Sequence, residues 1–158
     1  ALECGCDYLI RLDGDGQHDP AFVARLIQPI LEGSWDLCIG SRFLDPLSES
    51  FKSTWARRIG IRFFCRLLGI LTGLQLTDPT SGLRAAGKKL IRSFAAYYPV
   101  DFPEPEAIKI AQRQGSKVGE IPVRMRERKE GQSSIRYLAT LYYMVKVTLA
   151  IFIDTFKK

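Results

Sequence analysis

The stretch YLIRLDGDGQHDP, Tyr8 to Pro20, sets two acids two residues apart at the end of an apolar run, with glycines between and after them. Tyr8–Leu12 predicts a short buried strand, bounded by Gly5 and by the Asp-Gly cluster. Pro20 predicts the first position of a helix, with Asp19 as its N-cap. Phe22, Val23, Leu26, Ile27, Ile30 and Leu31 give that helix one apolar face, and Gly33 stops it. Trp35–Ile39 predicts a second strand, ending at Gly40-Ser41-Arg42. Strand, helix and strand within so few residues make a βαβ unit, which predicts an α/β fold with a parallel sheet. With 158 residues, the chain is long enough for one domain with a core of its own.

The pattern continues in the same alternation. A polar loop is expected over Asp45–Ser53, then a helix over Thr54–Leu71 that sets Arg58, Arg62 and Arg66 on one face. LTDPTSGLRAAG is a turn-rich loop running into a short strand. Helices are expected over Lys88–Tyr97 and Pro103–Gln114, and a strand over Lys117–Met125, interrupted at Pro122. RERKEGQSS is a charged loop, and Ile135–Phe156 is expected to form one long helix. There is no internal repeat and no linker that would split the domain. The expected division is a catalytic-type domain over 1–134 and an amphipathic helix over 135–158.

Crowded carboxylates repel unless something positive sits among them. Residues two apart in extended chain point the same way, so Asp13, Asp15 and the Gln17 amide oxygen can converge beyond the carboxyl end of a strand. Hard oxygen donors of this kind suit Mg²⁺ or Mn²⁺. A solvated Asp-Gly turn is the plainer alternative. A calcium loop of the EF-hand type is excluded: it needs Gly sixth and Glu twelfth, and counting from Asp13 those places hold His18 and Ala24. His18 is expected as a turn or structural histidine rather than a ligand.

Four motifs stand in order: DGDGQHDP between strand and helix, then IGSRF, TDPTSGLRA and EIPVRMRERKEGQSS. Over about residues 7–134 they resemble the catalytic domain of glycosyltransferase family 2, in the branch of dolichol-phosphate mannose synthase and the bacterial polyprenyl-phosphate glycosyltransferases. The resemblance implies a GT-A fold, Rossmann-like and mostly parallel with flanking helices. It also implies a nucleotide-sugar donor, a Mg²⁺ or Mn²⁺ ion and inversion at the sugar carbon. Carried over by position, Asp13, Asp15 and Gln17 hold the metal. Arg42, Arg84, Arg128 and Ser133 meet donor or acceptor phosphates. Asp15, Asp78 and Glu106 are the catalytic candidates. Family members begin with a βαβ segment carrying the base-binding half of the donor site. The domain is therefore expected to be truncated at its N-terminus, with an uncovered sheet edge and an incomplete donor pocket, and to turn over little by itself.

The acceptor is read from chemistry. A sugar hydroxyl needs a general base, for which Asp78, Asp101, Glu104 and Glu106 are candidates. A phosphate monoester has its second pKa near ~6 and needs little help. Asp101 and Glu104 serve equally as caps of the following helix. Arginines in glycine- and serine-rich loops offer planar forks to phosphate, although a surface salt bridge is the commoner role.

Residues 1–112 hold 13 Lys+Arg against 13 Asp+Glu, and residues 113–158 hold 10 against 4, so the whole net charge of +6 lies in the last part. A basic end suits an anionic partner or a solvated surface. Ile135–Phe156 is roughly 33 Å long at ~1.5 Å per residue, but Lys146 at its middle argues against a membrane span. Arg136, Lys146 and Asp154 fall within about 80° of one another, opposite Leu138, Leu141, Val145, Leu149, Phe152 and Phe156. That pattern fits a helix lying in a membrane interface or one packed on a core. No charged-then-apolar leader opens the chain, so no signal peptide is expected. Cys4, Cys6, Cys38 and Cys65 form no CxxC pair and are expected as reduced core thiols of a protein at the cytoplasmic face of a membrane. Nucleic acid is not expected as a partner, because aromatics are not interleaved with the basic residues of 113–136. The leading expectation is a metal-dependent inverting transferase with a polyprenyl-phosphate acceptor. The same fold with a polysaccharide or other hydroxyl acceptor is the alternative enzyme, and a basic binding module without catalysis is the alternative of another class.

Overall fold

A computed structural model of the protein describes residues 3–44, 55–99, 103–126, and 146, 148 and 149. The elements run β1 (Tyr8–Arg11), α1 (Phe22–Leu31), β2 (Leu37–Ser41), α2 (Trp55–Thr72), β3 (Arg84–Gly87), α3 (Lys88–Ala96), α4 (Pro103–Arg113) and β4 (Val118–Pro122). Most lie where the hydrophobic periods and turn residues put them. α1 begins at Phe22 rather than Pro20: Ala21 is its N-cap, without a side-chain cap, and Asp19 instead closes the turn before it, its Oδ1 accepting the Ala21 N–H at 3.1 Å and its carbonyl accepting the Phe22 N–H at 3.1 Å. Of the long helix expected over Ile135–Phe156, only Lys146, Thr148 and Leu149 are described, all helical, and the rest lies outside the described residues.

The four strands form one sheet in the order β1-β3-β2-β4. This corrects the expectation of a mostly parallel sheet. β2 and β4 are parallel, but β3 lies antiparallel to both β1 and β2. The two strands of the βαβ unit do run the same way, yet they are not neighbours, since β3 is inserted between them. β3 is built of Arg84-Ala85-Ala86-Gly87, all buried, and its small side chains suit a strand covered on both faces.

Alternation along the strands divides the core in two. Leu37, Ile39 and Ala86 point to one face and pack with Phe64 and Leu68 of α2, Leu90 of α3 and Ile108 of α4. Cys38 and Ala85 point to the other, against Leu26 and Ile30 of α1 and Val123 after β4. The sheet is thus sandwiched between α1 and the three later helices. β2 is buried along its whole length, which explains its unbroken apolar run. β1 is the exception. It was expected to be buried, but Tyr8 and Leu9 are 41% and 38% exposed, because β1 is an end strand with no outer neighbour among the described residues. An apolar groove of about 570 Å³ runs beside it, lined among others by Leu9, Leu12, Ile91, Phe94 and Tyr98.

The cysteines divide differently from expectation. Cys38 is buried and Cys65 half-buried, but Cys4 and Cys6, which precede the first strand, are exposed. Burial pushes the Cys38 and Cys65 thiols up to about 12, and the Glu120 carboxylate adds to the effect at both. Thiolate is the reactive form. With the native protein at mildly alkaline pH, an aromatic disulfide reagent is therefore expected to titrate Cys4 and Cys6 rapidly and Cys38 and Cys65 only on unfolding. A single fast phase of four thiols would contradict this arrangement.

Candidate functional site

The reversal of β3 decides where the motifs meet. β1, β2 and β4 all end at one edge of the sheet, and β3, running the other way, begins there. The loop before β3 therefore joins the loops after the other three strands. DGDGQHDP, GSRF, TDPTSG and the residues after Pro122 are brought to one edge.

Asp13 and Asp15 are exposed on the loop between β1 and α1. Gly16 takes φ +73°, a conformation that favours glycine, and so lets the loop turn back on itself. The Asp15 Oδ1 accepts the Gln17 N–H at 3.1 Å. Gln17 donates its side-chain amide to the Arg126 carbonyl at 3.4 Å, and its own carbonyl accepts the Arg126 N–H at 2.9 Å. Arg126 also pairs with Asp19 at 3.1 Å. The hydrogen bond from the Ala21 N–H, and after it the Arg126 guanidinium, hold the Asp19 carboxyl below its ordinary range. The chain after β4 thereby lies along the acidic loop.

Asp13 is set by two groups that the motif does not advertise. Gly82 lies directly under its carboxylate. A Cβ at that position would stand 2.6 Å from Oδ1 and 2.8 Å from the carboxyl carbon, so any side chain there displaces Asp13. His18 sits on the other side. It is 5% exposed, and its Nδ1 accepts the Asp13 N–H at 3.0 Å. Its Nε2 is 4.0 Å from the Asp13 Oδ2 and has no hydrogen-bond partner among the described residues. Burial lowers the His18 pKa, against the pull of Asp13 and Asp15, so the ring is neutral at pH 7. The expectation of a structural histidine agrees with this placement.

Arg42 and Asp78 meet inside the protein. Arg42 is 5% exposed and Asp78 is fully buried. The guanidinium donates from Nε to Asp78 Oδ2 at 2.5 Å and from Nη2 to Oδ1 at 2.7 Å, and the Arg42 N–H reaches Oδ2 at 3.2 Å. Thr80 adds a hydroxyl to Oδ1 at 3.1 Å. Asp78, expected as a base, has both oxygens engaged by donors and no opening to solvent. Arg42, expected as a phosphate fork, has its fork turned onto that carboxylate. Arg84 is likewise internal: it donates to the carbonyls of Ser81 (2.7 Å), Pro79 (2.7 Å) and Glu104 (2.6 Å). Burial pushes it down to about 10, still cationic at neutral pH. Its placement is that of a brace for the TDPTSG loop rather than an open phosphate contact.

Glu120 of β4 was missed. It accepts the Thr77 N–H and hydroxyl, both at 2.7 Å, and the Asp78 N–H at 2.8 Å. Ser41 closes the set with a 2.6 Å contact to Thr77. In VGEIP this glutamate looks like the polar side of a strand, and only the strand order shows that it faces a loop. Glu104 is half-buried and pairs with Arg11 at 2.8 Å, while the Arg11 guanidinium also lies 4.0 Å from Asp13. Glu106 is half-buried in the first turn of α4. Asp101, Arg128 and Ser133 lie outside the described residues.

The donor set at the acidic loop fits Mg²⁺ or Mn²⁺. Among the described residues no group of three His, Cys, Asp or Glu side chains forms a self-sufficient metal cage. Mg²⁺ characteristically needs none: it binds through one or two carboxylates and completes its shell with water and substrate phosphates. Two exposed aspartates beside an amide oxygen, one of them seated on Gly82, match that habit.

With this geometry in hand, the relatives can be placed. No family model matches the chain. The chain is 34% identical over 130 residues to the UDP-N-acetylglucosamine–dolichyl-phosphate N-acetylglucosaminyltransferase of Methanococcus voltae, covering 78% of this chain and 50% of that protein. It is 32% identical over 149 residues to the undecaprenyl-phosphate mannosyltransferase of Micrococcus luteus, covering 85% and 55%. Among solved structures it superposes on the glucosyl-3-phosphoglycerate synthase of Mycobacterium tuberculosis, with a TM-score of 0.60 at 21% identity over 94% of this chain and 49% of that one. The chain has a GT-A glycosyltransferase fold. The resemblance carried by the four motifs is borne out by these relatives. The chain spans about half the length of the curated relatives it matches.

A buried charge that loses its partner is strongly destabilising, by about 3–5 kcal/mol. Asp78→Ala is accordingly expected to lower the unfolding free energy by that amount in urea titrations. A wild-type denaturation midpoint for this variant would show that the Arg42–Asp78 pair does not hold the loop.

Proposed function

We propose that the chain forms the metal-binding half of an inverting glycosyltransferase that moves a sugar from a nucleotide-diphosphate donor to a polyprenyl phosphate. The observation that carries this reading is the convergence of the four motif loops at one sheet edge, with Asp13 and Asp15 exposed there. The named relatives support it: two of them are transferases to dolichyl or undecaprenyl phosphate. A complex of the solved neighbour contains Mn²⁺ and uridine diphosphate.

Breaking the bond between sugar and diphosphate leaves negative charge on the departing group. A dication held by Asp13, Asp15 and the Gln17 amide oxygen supplies neutralisation of that charge. The chain's own part is to hold these oxygens in place. Gly82 and His18 set Asp13, and the Asp15–Gln17 hydrogen bond sets the turn. Gln17 spends its amide N–H on Arg126, so its oxygen is the atom left to face a cation. The buried Arg42–Asp78 pair fixes the loops that flank them. Arg128 and Ser133, outside the described residues, remain the proposed phosphate contacts, and Glu106 the proposed further catalytic group.

The burial of Asp78 supports a phosphate acceptor over a hydroxyl one. Closed in by Arg42 and Thr80, Asp78 is not placed to take a proton from a hydroxyl. A phosphate monoester, largely dianionic at neutral pH, attacks without such help. A hydroxyl acceptor is the second reading, favoured by the solved neighbour's complexes with phosphoglyceric acid and its glucosyl product. The decisive measurement is sugar transfer by the full-length protein, screened over nucleotide-sugar donors with Mn²⁺ and short polyprenyl phosphates. Asp15→Asn is expected to cut transfer by about 100–1,000-fold. Transfer to a free hydroxyl compound and to no polyprenyl phosphate would replace the first reading with the second.

The membrane surface belongs to the same proposal. No helix among the described residues is long and apolar enough to cross a membrane. α2 presents Arg58, Arg62 and Arg66, exposed and without an ion-pair partner among the described residues, next to exposed Ile59, Phe63 and Ile70. A basic row beside an apolar row suits an anionic leaflet, where each arginine contributes about 1 kcal/mol. Replacing the three arginines by glutamate is expected to reduce partition onto phosphatidylserine vesicles by roughly 100-fold or more in flotation. Unchanged flotation would remove α2 from the membrane contact.

A further inference from the structure

The proposed metal site rests on Asp13, and Asp13 rests on a residue with no assigned part in the reaction. His18 is the chain's one histidine. Its side chain is 1% exposed, deeper than any of the proposed metal-holding groups. An isolated antiparallel bridge to Met125 fixes its backbone against the chain after β4. Its Nδ1 takes the Asp13 N–H at 3.0 Å and is therefore the unprotonated nitrogen. A neutral ring then carries its proton on Nε2. That nitrogen is buried, has no hydrogen-bond partner among the described residues, and faces the Asp13 Oδ2 at 4.0 Å.

We propose that His18 is a positioning residue for the metal-holding carboxylate, gripping Asp13 at its backbone through Nδ1 and keeping its buried Nε2–H 4.0 Å from the carboxylate Oδ2. Gly82 closes the opposite side, so Asp13 is confined between a glycine that admits it and an imidazole that orients it. A histidine that merely shaped the turn would need Nδ1 alone; it would not need a buried, otherwise unpartnered Nε2 next to the same aspartate. Hydrogen-bonded neighbours of metal-ligating carboxylates typically alter metal affinity by about 10–100-fold when removed.

The inference rests on the metal-site reading given above, and the test separates the two. Because there is one histidine, long-range proton–nitrogen correlation spectra of the full-length protein report His18 alone. The expected result is an Nε2–H tautomer whose Nε2 signal moves in Asp13→Asn and on adding Mg²⁺, while Nδ1 moves little. An Nδ1–H tautomer, or an Nε2 signal blind to both changes, would overturn the proposal without any reference to metal binding. His18→Asn keeps an acceptor where Nδ1 stood and removes the Nε2 donor. It is expected to keep the wild-type melting temperature and to weaken Mn²⁺ binding in the presence of uridine diphosphate by about 10–100-fold, read by electron paramagnetic resonance. Wild-type Mn²⁺ affinity in a folded His18→Asn protein would overturn it. If that variant does not fold, the tautomer measurement decides. A wild-type protein that binds no Mn²⁺ with the nucleotide would sink the metal-site reading, and the spectra of Asp13→Asn would still judge His18.

Discussion

The pair of Arg42 and Asp78 is the constraint on which the site depends. Two charges this deeply buried are tolerable only when every oxygen and N–H finds a partner. The chain meets that condition with a connected set. Asp78 is held by Arg42 and Thr80, its backbone N–H is held by Glu120, and Glu120 also holds Thr77, which touches Ser41. The set joins the end of β2, the loop before β3 and the middle of β4. None of these segments can shift without exposing a charge to an apolar interior. Rigidity of this kind is what the proposed site needs, since its proposed metal-holding groups are exposed carboxylates on a glycine-rich loop.

Much of the fold was legible because it follows from local rules. Periodicity located α1 to α4, and glycine and proline located the ends of most of them. The fate of β3 was not legible. Its Arg-Ala-Ala-Gly run announces a strand, but alternation carries no sign for direction, and the βαβ rule speaks only of the strands it connects. An antiparallel strand slipped between two parallel-directed ones leaves both βαβ strands as predicted and still changes the sheet. The turn of the acidic loop was legible for the opposite reason: two aspartates two apart with glycines between and after them mark a sharp turn, and the chain makes it with Gly16 at φ +73°.

The arginines show where residue chemistry alone misleads. Arg42 and Arg84 stand in glycine- and serine-rich loops, which is where phosphate contacts are often found. Here the same planar forks are turned inward, one onto a carboxylate and one onto three carbonyls. A guanidinium is unusually suited to this, since it carries five donors in fixed directions and accepts burial better than an ammonium. A loop rich in glycine and proline has many carbonyls that no helix or strand will satisfy. An arginine threaded among them answers that need, and nothing in the sequence distinguishes it from one that awaits a ligand.

Glu120 and Gly82 escaped notice for a related reason: each acts across the sheet on a residue far away in the chain. A glutamate within VGEIP and a glycine within TSG are unremarkable where they stand. Their meaning comes from β3 running backwards, which brings the loop ahead of it down between the ends of β1 and β4. Had β3 run parallel, that loop would have emerged at the opposite edge. Gly82 would then not lie under Asp13, and Glu120 would have no Thr77 to hold. The position of the acidic pair therefore depends less on the motif that contains it than on the direction of one four-residue strand.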